Sequence, residues 1–324
     1  MTHSVLIIGA GKIAQGFDNP KDKKISTHVK AYLNFPNKFK VKAICDTDKR
    51  LANEAAKKWN IENVYYDYDE IKIKNYDVVS ICTPDHTHGY FLKKILLNKP
   101  KVIFLEKPMG LNYQDSVDIF KECEKNNILL LLNYSRIYIK EFSKIKDNFK
   151  SNKLLSVDLK YHKGFDHTCS HLINLFFYMF EAELINYTIN DKFIDYDEND
   201  PTISGTFNFK NHSNEEFRLN IQGYKESDLN IIEMDIISSK YRIRYSESKG
   251  SKVTEYNLCS YDMGIVLKEF VKNKSYELNY NNSFINSMGV IIKFLNQEKI
   301  DNINDIQKSF LSTVKFINKI KNHE

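Results

Sequence analysis

The chain has 324 residues, with 42% hydrophobic and 27% charged side chains, which is typical of a globular protein large enough for two domains. The formal net charge of +5 comes from scattered lysines that acids nearly balance, so we do not predict nucleic-acid binding. No apolar run approaches the length of a membrane span, and the five cysteines lack CxxC spacing, so we expect a cytoplasmic protein with neither a membrane anchor nor a bound metal.

A glycine-rich turn follows the first predicted strand. The apolar residues 4–8 lead into Gly9-Ala10-Gly11-Lys12-Ile13-Ala14, which fits the dinucleotide pattern G-x-G-x-x-G/A. Gly9 would permit the tight turn, and Gly11 would let the backbone approach a pyrophosphate at the helix N-terminus. The predicted cofactor contacts of this turn are Gly9, Gly11, Lys12 and Ile13.

The second strand, Phe39–Cys45, ends in Asp46. An acid at this position accepts hydrogen bonds from the adenosine ribose and repels the 2′-phosphate of NADP, so we favour NAD(H). Asp46 lies further from the glycines than usual because a polar, proline-bearing loop, 17–24, interrupts the first helix. Arg50 is near enough to assist a 2′-phosphate, so NADP(H) stays an alternative cofactor. Alternatively, Asp46 only caps the helix Lys49–Trp59.

Strands and helices alternate as far as residue 132. Further strands are predicted at 64–66, 77–82, 102–105 and 128–132, and helices at 27–33, 49–59, 89–98 and 112–126. This alternation, opening with a glycine turn, predicts an α/β fold with a Rossmann-type doubly wound parallel sheet.

The motif Glu106-Lys107-Pro108 follows the apolar strand Val102–Leu105. It would therefore lie at the carboxyl end of a parallel strand, where open α/β sheets bind ligands. A lysine there can contact both a cofactor and a substrate hydroxyl, and Pro108 restricts the backbone after it. Taken alone, the motif favours a strand end followed by a turn that leaves Lys107 in solvent.

Four segments, in this order and spacing, resemble the Gfo/Idh/MocA family of oxidoreductases (glucose–fructose oxidoreductase, inositol dehydrogenase and rhizopine catabolism proteins). They are Gly9 to Ala14, Ile81-Cys82-Thr83-Pro84 with His88, Glu106-Lys107-Pro108, and Gly164 through His171. The resemblance implies an NAD(P)-binding Rossmann domain, 1–132, and a C-terminal α+β domain for substrate binding and oligomerisation, 133–324, built on a large, mostly antiparallel sheet.

The resemblance also implies an activity. Members transfer a hydride between a nicotinamide cofactor and a hydroxyl or keto carbon of a sugar, cyclitol or sugar nucleotide. We expect a small-molecule substrate of this kind from carbohydrate or surface-polysaccharide metabolism, and a homodimer or homotetramer. By the same resemblance, Thr83 and Pro84 line the cofactor, His88 closes their loop, and Glu106 holds the nicotinamide ribose region.

The catalytic residues implied by the resemblance are Lys107, which contacts the substrate hydroxyl, and His171, which relays the proton. The family pattern has an aspartate four residues before this histidine, whereas this chain has His167. Residues four apart on a helix share a face, so His167 and His171 can line one site. Two such histidines could also bind zinc, but no third ligand is evident. The alternative is a pair of helix-terminal histidines bonded to the backbone, which the neighbouring motifs disfavour more for His171 than for His167.

The second half is predicted to contain strands at 154–161, 202–209, 216–221, 230–237 and 241–245, with helices at 141–150, 283–296 and 305–321. Arg136 either contacts substrate or cofactor, or pairs with a carboxylate at the domain junction. A nucleotide diphosphate would need basic side chains from this half, for which Arg218, Arg242 and Arg244 are equal candidates.

Two rival functions remain open at this stage. The first is a non-catalytic sensor that binds the dinucleotide and acts through partners, which the altered aspartate position keeps open and the intact Lys107 and His171 disfavour. The second is reduction of an imine or tetrapyrrole-like substrate, which a polar pocket would disfavour.

Overall fold

The computed structural model describes residues 2–149, 152–225, 230–247, 250–262 and 266–322. The strands in these ranges are β1 (His3–Ile8), β2 (Phe39–Cys45), β3 (Asn63–Tyr65), β4 (Val78–Ile81), β5 (Val102–Leu105), β6 (Leu129–Leu132), β7 (Leu154–His162), β8 (Ala182–Asp197), β9 (Asp200–Asn211), β10 (Glu216–Tyr224), β11 (Glu233–Ser238), β12 (Tyr241–Ser246), β13 (Ser251–Asp262) and β14 (Val266–Leu278). The α-helices are α1 (His28–Leu33), α2 (Lys49–Trp59), α3 (His88–Leu96), α4 (Tyr113–Lys125), α5 (Lys140–Phe149), α6 (Ser170–Met179), α7 (Asn281–Leu295) and α8 (Ile303–Lys321).

The first compact unit comprises residues 1–138 and 281–324. Its core is a six-stranded parallel sheet in the order β3-β2-β1-β4-β5-β6. The side chains of β1, β4, β5 and β6 are all buried, as expected for parallel strands that are covered on both faces. The order reverses direction between β1 and β4, so the carboxyl ends of these two strands border the crevice where such sheets bind ligands.

The two closing helices belong to this first unit, because apolar side chains of α8 pack on the Rossmann elements. The ring of Phe310 stacks on Phe120 of α4, with centroids 6.4 Å apart, and also meets Tyr134 at 6.0 Å. The predicted division at residue 132 instead grouped 281–324 with the second half. The observed grouping differs because this packing is long-range and leaves no local signature in the sequence.

The second compact unit, residues 139–280, is built on an eight-stranded sheet in the order β14-β13-β12-β11-β7-β10-β9-β8. All neighbours are antiparallel except β7 and β10. Helices α5 and α6 cover one face, where Phe176 meets Phe209 at 5.2 Å and Phe142 meets Tyr245 at 5.1 Å. On the other face, the alternate residues of the central strands β10 and β12 are mostly polar.

The predicted fold class is therefore confirmed: a Rossmann-type parallel sheet and a second, mostly antiparallel sheet. Strands β2 and β5 have the predicted bounds, and most other elements shift by one to three residues. The predictions missed β8, β13 and β14. The last residue of the predicted helix 141–150 lies outside the described residues. Among the described helices, none combines the length and apolarity that a membrane span requires.

Candidate functional site

The glycine turn sits against the ends of two neighbouring strands. Gly9 has φ +93°, and a Cβ added to it would lie 2.5 Å from the backbone oxygen of Cys82, just beyond β4. Its N–H donates to the carbonyl of Cys45 at the end of β2, at 2.8 Å. Gly9 is therefore glycine both because of its left-handed backbone and because of this close approach.

Gly11 has different surroundings. A Cβ built on it would meet no atom within 4 Å, and it precedes a short π-helical turn, Lys12–Gly16. Lys12 is exposed, and Ile13 is half-buried. Open space over a glycine, directly before a helical N-terminus, fits a pyrophosphate that the backbone approaches closely.

A buried glutamine that the sequence analysis passed over holds this turn in place. Gln15 donates from Nε2 to the carbonyl of Ala10 at 2.9 Å. Its Oε1 accepts from the indole N–H of Trp59 at 3.1 Å. The turn is thus tied to α2 by one side chain whose polar groups are matched at both ends.

Asp46 lies at the glycine turn. Its Oδ2 accepts from the N–H of Ala10 at 2.7 Å, and its Oδ1 accepts from the N–H of Asp48 at 2.9 Å. The N-cap of α2 is Asp48, which accepts from Leu51 N, so the alternative in which Asp46 only caps this helix is wrong. Arg50 is 74% exposed and pairs with Glu54 one turn further along α2, at 3.1 Å.

Glu106 is the centre of a buried polar network at the carboxyl ends of the strands. Its Oε1 lies 2.8 Å from His28 Nε2 and 2.6 Å from Asn133 Nδ2. The other ring nitrogen of His28 lies 3.2 Å from the Ser80 hydroxyl, which contacts the Tyr32 hydroxyl at 2.8 Å. Helix α1, strand β4 and Asn133, directly after β6, therefore all contribute to holding one carboxylate.

The pKa of Glu106 is lowered although the group is buried. Burial alone raises this pKa, but the hydrogen bond and charge of His28, the hydrogen bond of Asn133 and the charge of Lys107 together outweigh it. Glu106 is thus an ionised carboxylate at neutral pH.

Lys107 is half-buried, and the Lys107–Pro108 peptide bond is cis. The fully buried ring of His88 lies between two loops, with Nδ1 at 2.6 Å from the carbonyl of Pro108 and Nε2 at 2.8 Å from the carbonyl of Thr83. His88 therefore ties the loop of Thr83 and Pro84 to the Lys107 turn. The predicted roles of these residues toward a cofactor stay predictions, as does that of Arg136, which is 5% exposed in the short turn Ser135–Tyr138.

In the second unit, His167 and His171 lie on one continuous helical segment. A π-helical turn, Gly164–Cys169, runs directly into α6, and both histidines are half-buried. The ring of His167 stacks on Tyr196 with centroids 4.5 Å apart. Within the described residues, no group of three histidine, cysteine or acidic side chains is placed to hold a metal ion.

The three arginines considered for a nucleotide diphosphate lie on the sheet face opposite α6. Arg242 and Arg244 alternate with the buried Ile243 and Tyr245, and Arg242 forms a bidentate pair with Asp235, at 3.0 and 2.6 Å. Arg218 likewise alternates with inward-facing residues of β10. The sheet separates all three from the helix of His167 and His171, so they do not share its site.

Residues 3–134 match the model of an oxidoreductase family with an NAD-binding Rossmann fold. Among curated proteins, the chain is 30% identical to a myo-inositol 2-dehydrogenase of Thermotoga maritima over 106 residues, which is 32% of this chain and 31% of that protein. It is 27% identical to an inositol 2-dehydrogenase of Salmonella typhimurium over 157 residues, which is 48% of this chain and 43% of that protein. The aligned part is thus less than half the length of either relative.

Solved structures extend the likeness of fold to almost the whole chain. A levoglucosan dehydrogenase in complex with NADH superposes with a TM-score of 0.72 at 15% identity, covering 98% of this chain and 96% of that one. A 3-ketoreductase from Actinomadura kijaniata in complex with NADP and TDP-benzene gives 0.70 at 12% identity, with the same coverage. Together, these findings confirm the resemblance to the Gfo/Idh/MocA oxidoreductase family over residues 3–134, and over the rest of the chain they show a similar fold.

Proposed function

We propose that the protein is an NAD(H)-dependent oxidoreductase that interconverts a hydroxyl and a keto group on a sugar, cyclitol or sugar nucleotide. The observation that carries the proposal is the convergence of two features at one edge of one sheet. The open glycine turn with Asp46 lies at the ends of β1 and β2, and the Glu106-Lys107 pair lies at the end of β5. Parallel strands bring their carboxyl ends to the same edge, so a cofactor held by the first feature reaches the second.

The residues that would hold the cofactor are those of the glycine turn, Asp46, the loop of Thr83 and Pro84, and Glu106. A bound nicotinamide supplies or accepts the hydride. Lys107 Nζ would give or take the proton of the substrate hydroxyl, and its positive charge would stabilise negative charge on that oxygen. The ionised carboxylate of Glu106 directly precedes Lys107 in the chain, and the charge of Lys107 contributes to the lowered pKa of Glu106.

His171 is assigned a role in proton relay, with His167 beside it on the same helical segment. This assignment rests on the resemblance at Gly164 through His171. His167 differs from the expected aspartate, and an imidazole supplies no permanent negative charge at that position.

NAD(H) is proposed over NADP(H) because of the charges at the adenosine end. The carboxylate of Asp46 is held at the glycine turn, where it would accept hydrogen bonds from ribose hydroxyls and repel a phosphate. Arg50, the basic residue considered for a phosphate, is exposed and paired with Glu54. The solved neighbours include complexes with NADH and with NADP, so the preference rests on Asp46.

The substrate class is proposed from the relatives. Those named above act on, or are named for, inositol and levoglucosan, and one was solved with a TDP-linked ligand. We further propose a cytoplasmic protein, in keeping with five free cysteines, that acts in carbohydrate or surface-polysaccharide metabolism as a homodimer or homotetramer.

The test is a screen for absorbance change at the nicotinamide band, with cyclitols, free sugars and nucleotide-linked sugars, against both oxidised and reduced cofactors. Lys107→Ala should bind NADH like the wild type and lower the rate by about 10²- to 10⁴-fold. Lys101→Ala is the matched control: Lys101 precedes the same strand at its other end and pairs with Asp77 at 2.8 Å, so turnover should be retained. Equal rates in Lys107→Ala and the wild type would refute the assignment.

The second candidate function is a dinucleotide-binding sensor without catalysis, which the histidine at position 167 favours. It predicts NADH binding with no turnover on any member of the panel, together with a partner whose binding depends on NADH.

A further inference from the structure

The backbone that leads into the histidine helix is held in an unusual conformation. Lys163, which directly follows strand β7, has φ +59°, and the next residue, Gly164, has φ +78°. Two successive residues in the left-handed region raise the conformational energy of the backbone. The Cβ of the lysine adds a steric penalty that a glycine avoids. Such a turn persists only where surrounding contacts hold it.

Those contacts come from the hairpin of β8 and β9. The N–H of Lys163 donates to Asp195 Oδ2 at 3.0 Å, and the N–H of Gly164 donates to Thr202 Oγ1 at 3.1 Å. The next donors are Asp166 and His167, whose N–H groups reach Asp200 Oδ1 at 2.7 Å and Oδ2 at 2.8 Å. Side chains of the hairpin thus take up the free N–H groups with which the helix begins.

Asp200 is the most tightly fitted of these side chains. It is 9% exposed, and each carboxylate oxygen accepts one backbone N–H of the histidine segment. A Cβ on Gly164 would collide with its Oδ2. The carboxylate therefore occupies the space that the glycine leaves, and its charge lies at the positive end of the helical segment.

The same hairpin also contacts the ring of His167. Tyr196, near the end of β8, stacks on this imidazole with an interplanar angle of 23°. The hairpin thus contacts both the backbone and the ring of His167. Neither of these two contacts comes from residues next to His167 in the sequence.

We propose that Asp200 is a positioning residue for the histidine helix. It holds the first turn of that helix through two charge-assisted hydrogen bonds, which orients His167 against Tyr196, and it brings a fixed negative charge to this segment from a different element of the fold. The inference rests on the proposed function in one respect: the histidines are taken to serve the reaction.

The decisive variant is Asp200→Asn. The side chain of asparagine has one oxygen, which accepts, and one NH2 group, which donates. It can therefore accept from only one of the two backbone N–H groups and places its own N–H against the other. The matched control is Asp195→Asn on the same hairpin. Among the described residues, Asp195 accepts from the N–H of Lys163 and the hydroxyl of Thr202, whereas the N–H groups of Asp166 and His167 donate to Asp200. Both variants should lose comparable thermal stability.

The substrate-independent readout is the ring-proton signal of His167 in ¹³C-histidine-labelled protein, assigned with His167→Gln. Stacking on Tyr196 should displace this signal in the wild type. The displacement should collapse in Asp200→Asn and persist in Asp195→Asn. A wild-type signal at the position of a free histidine, or one that Asp200→Asn leaves unchanged, would overturn the proposal even if no substrate is ever found.

The catalytic readout uses a substrate identified in the screen. Asp200→Asn should lower kcat by about 10- to 100-fold, the cost of a slightly misplaced group, while NADH affinity stays within about twofold. Gly164→Ala displaces the carboxylate without changing charge and should act in the same direction; in combination with Asp200→Asn the two losses should not add. Equal kcat in the wild type and Asp200→Asn would exclude the positioning role, whereas absent wild-type turnover would count against the proposed function alone.

Discussion

His28→Leu removes the strongest partner of the buried Glu106 carboxylate. The His28 side chain is fully buried, that of Glu106 is 10% exposed, and their polar atoms are 2.8 Å apart. Removing a partner of a buried ionised carboxylate costs about 3–5 kcal/mol, because the carboxylate stays buried and loses its compensation. Asn133 still donates to the same oxygen, so we expect the lower end, about 3 kcal/mol.

The loss should depend on pH, with a sign set by Glu106. In the wild type its pKa is lowered, so this group adds stability above the pKa of the unfolded chain and loses that contribution as pH falls through the lower folded value. In His28→Leu the largest effects that lower the pKa of Glu106 are lost while its burial stays, so this pKa should rise. The stability that the ionised carboxylate contributes above the unfolded pKa should then shrink. The stability difference between the two proteins should therefore widen from about pH 4 to pH 7.

Urea unfolding followed by fluorescence is the assay, because the single tryptophan, Trp59, lies in the first unit. His28→Gln restores a neutral donor and should recover part of the loss. The control is His3→Leu, in which another histidine beside a carboxylate is lost, but Asp77 keeps Ser4 and Lys101 as partners. We expect a change below about 1 kcal/mol there. A pH-independent deficit in His28→Leu, or one equal to the control, would refute the reasoning.

Further predictions concern the glycine turn and its neighbouring loop. Gly9→Ala places a Cβ 2.5 Å from a backbone oxygen and should markedly lower the urea midpoint, whereas Gly11→Ala meets open space and should keep the midpoint but weaken NADH binding in a fluorescence titration. A stable Gly9→Ala protein would contradict this account of the turn. His88→Ala removes the ring whose nitrogens lie against the carbonyls of Thr83 and Pro108 and should cost roughly 2 kcal/mol in the same urea assay, while unchanged stability would show that the ring does not tie the loops together.

The sequence predicted the first sheet well because its strands are short, apolar and separated by turn residues. Long strands with exposed side chains escaped detection. β14 carries mostly exposed residues, including several lysines, and β8 is likewise largely exposed. Such segments become strands because a partner strand pairs with them, and neither apolar alternation nor propensity identifies them beforehand.

The same distinction applies to the site. The glycine turn, Asp46 and the Glu106-Lys107 pair were predictable because each is a local pattern. His28 and Asp200 were not predictable in this way. The N-cap residue Thr27 indicates that a helix begins at His28, but it does not indicate what the His28 ring contacts. His28 acts on a residue 78 positions away, and Asp200 on a segment 33 positions away. Only the folded topology brings these partners together.

The central claim is that the glycine turn and Asp46 form a binding site for NAD(H). The most direct test is a fluorescence titration of NADH and NADPH on the wild type, Asp46→Ala and the control Asp48→Ala, which removes the N-cap acid of α2 two residues away. The wild type and the control should bind NADH more tightly than NADPH, and Asp46→Ala should lose about 10- to 100-fold in NADH affinity and most of the preference. A wild-type preference for NADPH, or no binding of either nucleotide, would contradict the claim.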